Sequence, residues 1–320
     1  MGRGGSRRRV VSMRIDAGLP DAHGAADHPV VLSIGNFDGV HRGHHRLIET
    51  AVTRARHAGG ETVIITFDPH PRCVLTPDRC PERLTTLEER GDLLAADGVD
   101  RMVVLRFDLA LSRWSAEHFC QRLLDAFPLR TMVAGPDFAL GHKRRGDLAF
   151  LRAFGGEHGF EVVTVEPVTV DGAVVSSSAI RAALASGDLE VANRLLGHAY
   201  LVDGHLKSDG TNGGRLALPP DKCLPAAGMY ATWVRVDGGE WRAAATTVVP
   251  PPAGDQRPLV RPRVLDGAGG LGHRELRIAF VARIGGVAPA PGVEPSPASP
   301  AEVAEAARAL LGGMPAPAGV

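Results

Sequence analysis

The spacing of apolar residues predicts strands that alternate with helices over the first two thirds of the chain. Short apolar runs typical of buried strands lie at 30–35, 61–67, 101–107, 130–135 and 161–167. Apolar residues at helical spacing predict helices over 44–58, 86–97, 115–127 and 147–158. This alternation predicts a doubly wound parallel sheet of the α/β class. Ligands of such sheets bind beyond the carboxyl ends of the strands.

The pattern changes after residue 197, where apolar runs are separated by turns rich in Gly and Pro. Runs at 229–237, 241–249 and 274–284 predict strands of a small antiparallel β-barrel. A stretch rich in Pro, Gly and Ala at 285–300 reads as a linker, and a short helix is expected at 299–311. The expected domains are a disordered leader at 1–27, an α/β domain at 28–186, a barrel at 187–286, and a linker with a C-terminal helix at 287–320.

Composition excludes several classes of protein. Lys and Arg number 36, as do Asp and Glu, so global charge does not favour a nucleic-acid partner. No apolar run approaches the roughly 18 residues that cross a bilayer, so we expect no membrane partner. The basic N-terminus lacks the apolar segment of a secretion signal, and we expect a cytoplasmic protein. Whether the chain forms a homo-oligomer stays open.

The cysteines point the same way. The chain has four, Cys73, Cys80, Cys120 and Cys223, with neither a CxxC pair nor a His/Cys ligand spacing. This spacing argues against a disulfide scaffold and a structural zinc site, and it fits a reducing compartment.

The strongest local motif is GNFDGVHRGH at 35–44, which follows a predicted strand and opens a predicted helix. Glycines let the backbone approach a ligand closely, and the amides at a helix start suit a phosphate. His41 and His44 are three residues apart, so both rings would face one side of a helical turn and stabilise charge on a polyphosphate. The structural alternative is a pair of capping or surface histidines. Zinc binding is disfavoured because no third ligand is spaced nearby.

This motif resembles the G-x-F-D-G-V-H-x-G-H segment of prokaryotic riboflavin kinase/FAD synthetases, members of the HxGH nucleotidyltransferase superfamily. Further segments resemble that family in the same order: TFDPHP at 66–71, LTTLEER at 84–90, GPDF at 135–138 with glycines at 141 and 146, and SSSAIR at 176–181. The resemblance covers roughly residues 28–200.

The resemblance implies an adenylyltransferase, in which the FMN phosphate attacks the α-phosphorus of ATP with Mg²⁺ and yields FAD and pyrophosphate. Such a reaction depends on positioning and charge stabilisation and needs no protein nucleophile. The implied catalytic residues are His41, His44 and Arg181. The implied nucleotide-binding residues are Gly35, Asn36, Phe37, Asp38, Gly43, Ser177 and Ser178. The implied acceptor-binding residues are Asp68, His70, Asp137, Phe138 and Leu140, and no metal ligand is assigned.

Two positions depart from the family pattern. Ser178 stands where the family usually has Thr, which is a mild change. Leu140 stands where the family usually has Phe, a natural stacking partner for the isoalloxazine ring, so the flavin assignment is weakened more than the ATP assignment. The structural alternatives to ligand binding are helix capping for the segment 177–181 and core packing for Phe138.

The second domain resembles a damaged riboflavin kinase. The segments 196–206 and 224–231 are similar to the start and a central strand of the kinase barrel. The family's P-T-A-N residues, which serve the ATP and Mg²⁺ site, are absent from 213–219. Arg261 occupies the place of the glutamate base in the segment 261–266. We therefore expect no riboflavin kinase activity.

The sequence thus predicts an FMN adenylyltransferase that uses ATP, FMN and Mg²⁺ and lacks kinase activity. The rival enzyme is an adenylyl- or cytidylyltransferase that acts on another phosphorylated metabolite. The rival of another class is a regulator that binds nucleotide or flavin without turnover. The presence of both triphosphate-binding segments argues against the regulator, since a pure binder does not need both.

Overall fold

A computed structural model describes residues 13–21, 28–207, 214–250, 258–265, 274–284 and 300–317. The chain divides into two compact units. The sheet unit comprises 1–36, 44–80 and 91–167, and the barrel unit comprises 37–43, 81–90 and 168–320.

The sheet unit is built on six strands that are all parallel, in the order β1–β4–β3–β2–β5–β6. The strands are β1 (Arg14–Ala17), β2 (Val30–Ile34), β3 (Glu61–Asp68), β4 (Arg101–Arg106), β5 (Leu129–Ala134) and β6 (Glu161–Thr164). The helices are α1 (Arg42–His57), α2 (Pro71–Leu75), α3 (Leu87–Ala96), α4 (Ala116–Ala126) and α5 (Leu148–His158). The predicted doubly wound parallel sheet is confirmed.

The central strand β2 explains why the sequence pattern is so clear here. All five of its side chains are buried. Successive side chains of a strand point to opposite faces of the sheet. Leu32 packs in a core cluster with residues of α4, whereas Val31 packs with Ala51 and Ala55 of α1. A strand that is covered on both faces reads as a continuous apolar run.

Strand β1 corrects the expectation that residues 1–27 form a disordered leader. Residues 14–17 pair in parallel with Arg101–Val104 of β4. Arg101 is only 2% exposed, and its guanidinium binds the carboxylate of Asp16 and lies over the ring of Phe127. A buried guanidinium requires such partners, so this segment completes the sheet edge. Residues 1–12 and 22–27 lie outside the described part of the chain.

A local disulfide joins Cys73, in α2, to Cys80. The two cysteines are seven positions apart on the surface, a spacing that differs from a CxxC pair. The expectation of reduced cysteines is corrected at this pair, although one short loop is not a disulfide scaffold. Cys120 and Cys223 are free thiols and are buried.

Among its described residues, the barrel unit has an antiparallel sheet of six strands in the order β10–β9–β14–β11–β12–β13. They are β9 (Tyr200–Lys207), β10 (Arg215–Ala217), β11 (Gly228–Val236), β12 (Trp241–Val249), β13 (Leu259–Val264) and β14 (Glu275–Arg283). The two edge strands contact each other, so the sheet is nearly closed. The predicted antiparallel barrel is confirmed.

Further elements precede and follow this barrel. They are the hairpin strands β7 (Thr169–Val170) and β8 (Ala173–Val174), and the helices α6 (Ser177–Ser186), α7 (Leu189–Leu196) and α8 (Pro300–Gly312). Ala307 and Leu311 of α8 pack with Ala231 and Ala245 of the barrel, which confirms the predicted C-terminal helix. The predicted linker from 285 to 299 lies outside the described residues.

Helices α6 and α7 belong to the barrel unit, although the sequence predicts a domain boundary between residues 186 and 187. Leu184 and Leu196 are fully buried in one core cluster with Tyr200 and Phe280 of the barrel. The apolar faces of both helices are thus covered by strands that follow them in the chain. The domain limits drawn from sequence stay a prediction. No helix in the described part of the chain is long and apolar enough to cross a membrane.

A buried ion pair lies at the centre of the barrel unit. Glu89 and Lys222 are both 0% exposed, and Nζ of Lys222 lies 2.5 Å from Oε2 of Glu89. The ammonium also donates to the carbonyls of Leu84 (2.6 Å) and Leu201 (2.8 Å), so its three protons are used. Glu89 in turn caps α3, since it accepts from the amide of Thr86 while its own amide donates to Oγ1 of Thr86. Burial raises the pKa of Glu89, and the charge of Lys222 opposes that rise.

We predict that Lys222→Met lowers the free energy of unfolding by about 3–5 kcal/mol, because it leaves the Glu89 carboxylate buried without its cation. Urea denaturation measures the loss. The control, Lys207→Met, changes an exposed residue of β9 and should shift stability by less than about 0.5 kcal/mol. The double variant Glu89→Gln/Lys222→Met should recover part of the loss. Equal stability of the two single variants would contradict the prediction.

We predict that Cys120 and Cys223 resist iodoacetamide at pH 8 in the folded protein. Burial raises the pKa of each thiol to about 12, and the thiolate is the reactive form. Cys73 and Cys80 should be alkylated only after a reductant opens their bridge. Mass spectrometry of tryptic peptides distinguishes the four positions. Labelling of Cys223 without unfolding would show that the thiol is more accessible than its burial indicates.

Candidate active site

The loop between β2 and α1 has an unusual backbone. Phe37 (φ 46°), Gly39 (φ 85°) and Val40 (φ 38°) all adopt positive φ, which is costly for Phe and for the β-branched Val. Burial compensates, since Phe37 is 1% exposed and Val40 is 0% exposed. The amide of Gly39 donates to Oγ1 of Thr85 at 3.1 Å. The loop is therefore held by the surrounding structure rather than by its own preferences.

The two motif histidines lie at the start of α1. His41 directly precedes the helix, is 7% exposed and belongs to the barrel unit. A Cβ at position 43 would lie 3.2 Å from the ring of His41, so Gly43 lets that ring approach the backbone closely. His44 lies in the first turn of α1, is half-buried and belongs to the sheet unit. The helix begins two residues before the predicted start at His44, at Arg42.

Asp38 is buried, with 3% exposure, and its carboxylate is surrounded by donors. The amide of Leu84 lies within 3.0 Å of both oxygens, and the amide of Thr85 donates to Oδ1 at 3.0 Å. Oγ1 of Thr85 donates to the same oxygen, and Nη2 of Arg181 lies 2.5 Å from Oδ2. A carboxylate has about four lone-pair sites, so these donors fill it.

The SSSAIR segment forms the start of α6. Ser176 is the N-cap, and its Oγ accepts from the amide of Ala179. Oγ of Ser177 donates to the carbonyl of Asp38 at 2.9 Å, and Nε of Arg181 donates to the carbonyl of Glu82 at 2.6 Å. Ser178 is exposed at the helix start. The N-cap thus lies just before the segment 177–181, for which capping was the alternative interpretation, while Ser177 and Arg181 have other partners.

The barrel unit therefore brings together three of the residues singled out from sequence: Asp38, Ser177 and Arg181. Asp38 precedes Ser177 by 139 residues and Arg181 by 143 residues along the chain. The segment 82–85 joins this cluster through backbone groups and Thr85. Residues 84 and 85 belong to the LTTLEER segment at 84–90, which resembles the family but received no role from the sequence, because backbone donors leave no trace in side-chain chemistry.

In the sheet unit, Asn36 and His70 are brought together. The side-chain amide of Asn36 lies 3.0 Å from Nε2 of His70, and Nδ1 of His70 accepts from the amide of Arg72 at the start of α2. The carbonyl of Asn36 accepts from Oγ1 of Thr66 at 2.9 Å. Asp68 ends β3. These contacts connect the carboxyl ends of β2 and β3, the edge at which ligands of such sheets bind.

The expected acceptor residues after β5 differ in exposure. Asp137 is exposed, Phe138 is half-buried against the core of the sheet unit, and Leu140 is 7% exposed within that core. Leu140 and Gly146 exchange backbone hydrogen bonds of 3.0 Å, which close the loop between them. Core packing thus describes Leu140 fully and Phe138 in part. A contact of either residue with an acceptor stays a prediction.

The described residues do not form a protein cage for a metal ion: no group of three or more His, Cys, Asp or Glu side chains among them is placed to hold one. Asp38 is the carboxylate of the loop between β2 and α1, residues 35–41, which we call the HxGH loop. Its two oxygens already accept hydrogen bonds from the donors described above. Mg²⁺ is commonly bound through substrate phosphates with few protein ligands. A magnesium ion that binds with the nucleotide stays a prediction.

Comparison with known proteins identifies the family of the chain. A sequence profile described as FAD synthetase matches residues 23–179. A solved structure titled macrolide-efflux protein from Streptococcus pneumoniae superposes with a TM-score of 0.76, covers 85% of this chain and 91% of its own, and is 23% identical. A likeness at this identity shows the fold alone.

Three relatives carry the name bifunctional riboflavin kinase/FMN adenylyltransferase. The protein from Pseudomonas fluorescens is 35% identical over 78% of this chain and 83% of its own length. That from Escherichia coli K12 is 32% identical over 69% and 73%, and that from Listeria monocytogenes is 36% identical over 65% and 68%. At the level of the family, the expectation of a nucleotidyltransferase enzyme is confirmed. The chain belongs to the bifunctional riboflavin kinase/FMN adenylyltransferase family.

Proposed function

We propose that this protein is an FMN adenylyltransferase: it transfers the adenylyl group of MgATP to the phosphate of FMN and yields FAD and pyrophosphate. The observation that carries the proposal is the cluster in which the HxGH loop, through Asp38, binds both Ser177 and Arg181 of the SSSAIR helix start. Both segments resemble triphosphate-binding motifs of the family. The FAD synthetase profile includes the first of them entirely and most of the second.

The reaction needs an arrangement of charges more than a reactive side chain. A phosphate oxygen of FMN attacks the α-phosphorus, the bond to the bridging oxygen breaks, and pyrophosphate leaves with the negative charge. In this proposal His44 and the first amides of α1 stabilise that charge. Arg181 adds a fixed cation at the start of α6, where the exposed Ser178 adds a hydroxyl. Mg²⁺, bound with the triphosphate, neutralises part of its charge.

We further propose that the barrel has lost riboflavin kinase activity, unlike the relatives named as bifunctional. The stretch that lacks P-T-A-N leads into Pro219, whose carbonyl accepts from the amide of Lys222. Lys222 serves the buried pair with Glu89. Arg261 lies on β13 opposite Thr247, where the family places its glutamate base. In this proposal the stretch 213–219 lacks the residues of the metal site, and Arg261 brings a positive charge to the place of the base.

The remaining expectations belong to the same proposal. The substrates are small molecules, MgATP and FMN, and nucleic acid is not a partner. The domain limits of 28–186 and 187–286 and the cytoplasmic location stay predictions. Oligomeric state is left to sedimentation or light scattering.

One observation favours a second candidate function. Leu140 is part of the core, whereas the family has an aromatic residue there that suits a flavin. An adenylyl- or cytidylyltransferase for another phosphorylated metabolite would not need that ring.

The deciding experiment supplies the purified protein with ATP or CTP, Mg²⁺, and either FMN or a panel of other phosphorylated metabolites. Pyrophosphate release is measured together with chromatographic detection of FAD. FAD from ATP and FMN supports the first proposal. Pyrophosphate release with another acceptor, but none with FMN, supports the second. No release with any pair would favour a regulator without turnover.

We predict that His44→Ala lowers the rate of adenylyl transfer by about two to three orders of magnitude, the loss typical of one donor to the transition state. The control is His57→Ala, which removes an exposed histidine at the other end of α1. Steady-state FAD formation measures both variants. If His44→Ala keeps the rate of the control while folded, His44 has no role in transfer.

We predict that the protein given riboflavin, ATP and Mg²⁺ accumulates no FMN. Loss of a general base alone costs about two to four orders of magnitude, and the metal site is damaged as well. A bifunctional relative, such as the Pseudomonas fluorescens protein, is assayed beside it as the positive control. Riboflavin phosphorylation at about 1 per second or faster, the usual range of kinases, would show that the barrel keeps its activity.

A further inference from the structure

We propose that Asp38 is a positioning residue, which aims Arg181 at the phosphates of ATP, and that it does not bind the nucleotide itself. The proposal rests on the proposed function, because it assigns to Arg181 the role of a phosphate ligand. It departs from the role that the family resemblance implies for Asp38 in the HxGH loop.

The two oxygens of the Asp38 carboxylate have different hydrogen-bond partners. Oδ1 accepts from the amide and the hydroxyl of Thr85, and the amide of Leu84 spans both oxygens. Oδ2 also accepts a hydrogen bond from Nη2 of Arg181. One edge of the carboxylate is therefore anchored on the segment 84–85, and the other edge is directed at the guanidinium. With 3% exposure, the group has neither a lone pair nor an open side for a nucleotide.

Arg181 is held at two points. Nη2 binds Asp38, and Nε donates to the carbonyl of Glu82. Two bonds in the guanidinium plane fix both its direction and its rotation, since the group is rigid and planar. Among the described residues no hydrogen bond engages Nη1, so this part of the fork can donate to a phosphate oxygen. Catalysis by positioning is sensitive to errors of about 1 Å, so the value of Arg181 depends on this anchor.

The anchor is itself fixed by the buried ion pair. The amide of Leu84 donates to Asp38, while the carbonyl of the same residue accepts from Nζ of Lys222. Glu89 holds Lys222 from the other side. A chain of short polar contacts thus runs from the ion pair, through one residue of backbone, to Asp38 and Arg181. These contacts reach Asp38 and Arg181 whether or not the barrel phosphorylates riboflavin.

An amide cannot replace the carboxylate of Asp38, because its NH₂ group would face a second donor. A second guanidinium, that of Arg90, lies 3.7 Å from Oδ1 and is buried. In Asp38→Asn, Oδ1 can still accept from Thr85, but then the new NH₂ group faces Nη2 of Arg181. Two donors would oppose each other, so the guanidinium loses one of its two anchors.

The test is a double-mutant cycle of Asp38→Asn and Arg181→Gln, read in kcat/KM for MgATP and in MgATP affinity by calorimetry. We expect each single variant to lose at least tenfold in kcat/KM. In the Arg181→Gln background, Asp38→Asn should lose less than about twofold more, because the residue it positions is already gone. Asp171→Asn is the matched control: it changes an exposed carboxylate 3.4 Å from Arg194 and should leave both readouts unchanged.

The outcomes separate the possible roles. Equal losses from Asp38→Asn in both backgrounds would overturn the proposal, because they would indicate a direct contact with nucleotide or a purely structural role. No loss in the single variant would overturn it too. If the wild type makes no FAD, the proposed function fails, and the cycle is read from MgATP affinity alone. Coupling in that affinity supports the positioning role, and additive losses or no binding of MgATP overturn it.

A second variant covers the case in which thermal unfolding shows that Asp38→Asn does not fold. Arg181→Lys keeps the charge on a partly exposed residue but removes the two-point attachment. We expect it to lose nearly as much kcat/KM as Arg181→Gln. Wild-type kinetics for Arg181→Lys would overturn the proposal, because the anchored orientation of the guanidinium would then be irrelevant.

Discussion

The barrel unit depends on the ion pair between Glu89 and Lys222, both of which are fully buried. A carboxylate and an ammonium without solvent are tolerated only if hydrogen bonds replace the lost water, and four backbone groups bind Glu89 and Lys222 in this way. Those backbone groups belong to Leu84, Thr86, Leu201 and Asp203. One polar requirement thereby fixes where the segment before α3 lies against the strand β9, and the HxGH loop depends on that segment.

Like the ion pair, the candidate active site consists of side chains that their neighbours already hold in place. Few of its side chains are free to move: Ser177 and Arg181 are tied to the residue at position 38, and His41 lies against a glycine backbone. A site prepared in this way loses little entropy when a triphosphate binds, and it needs little reorganisation as charge moves during transfer. This arrangement has a conformational cost in the loop of residues 37–40, because Phe37 and Val40 adopt a strained backbone conformation there.

Sequence alone predicted what local patterns encode. The strand β2 was visible because both its faces are covered, and the start of α3 because Thr86 and Glu89 form a capping box. The strand β1 was missed because Asp16 is explained only by Arg101, 85 residues later. The role of Asp38 was missed for the same reason, since its partners lie 46 and 143 residues away. Pairings at such distances follow from the fold and not from any window of sequence.

The division of the chain bears on how such an enzyme family can lose an activity. Residues 37–43 and 81–90 belong to the same compact unit as the barrel, although they precede it by more than a hundred residues. A gene shortened after α6 would delete Lys222 and the strands that cover α7, and the remaining fragment would keep a buried acid with nothing to neutralise it. Substitutions in the kinase-like segments can therefore leave this pairing intact, whereas loss of the strands that carry Lys222 removes it. The barrel is thus required for the cation that it supplies to Glu89, whatever chemistry the barrel itself performs.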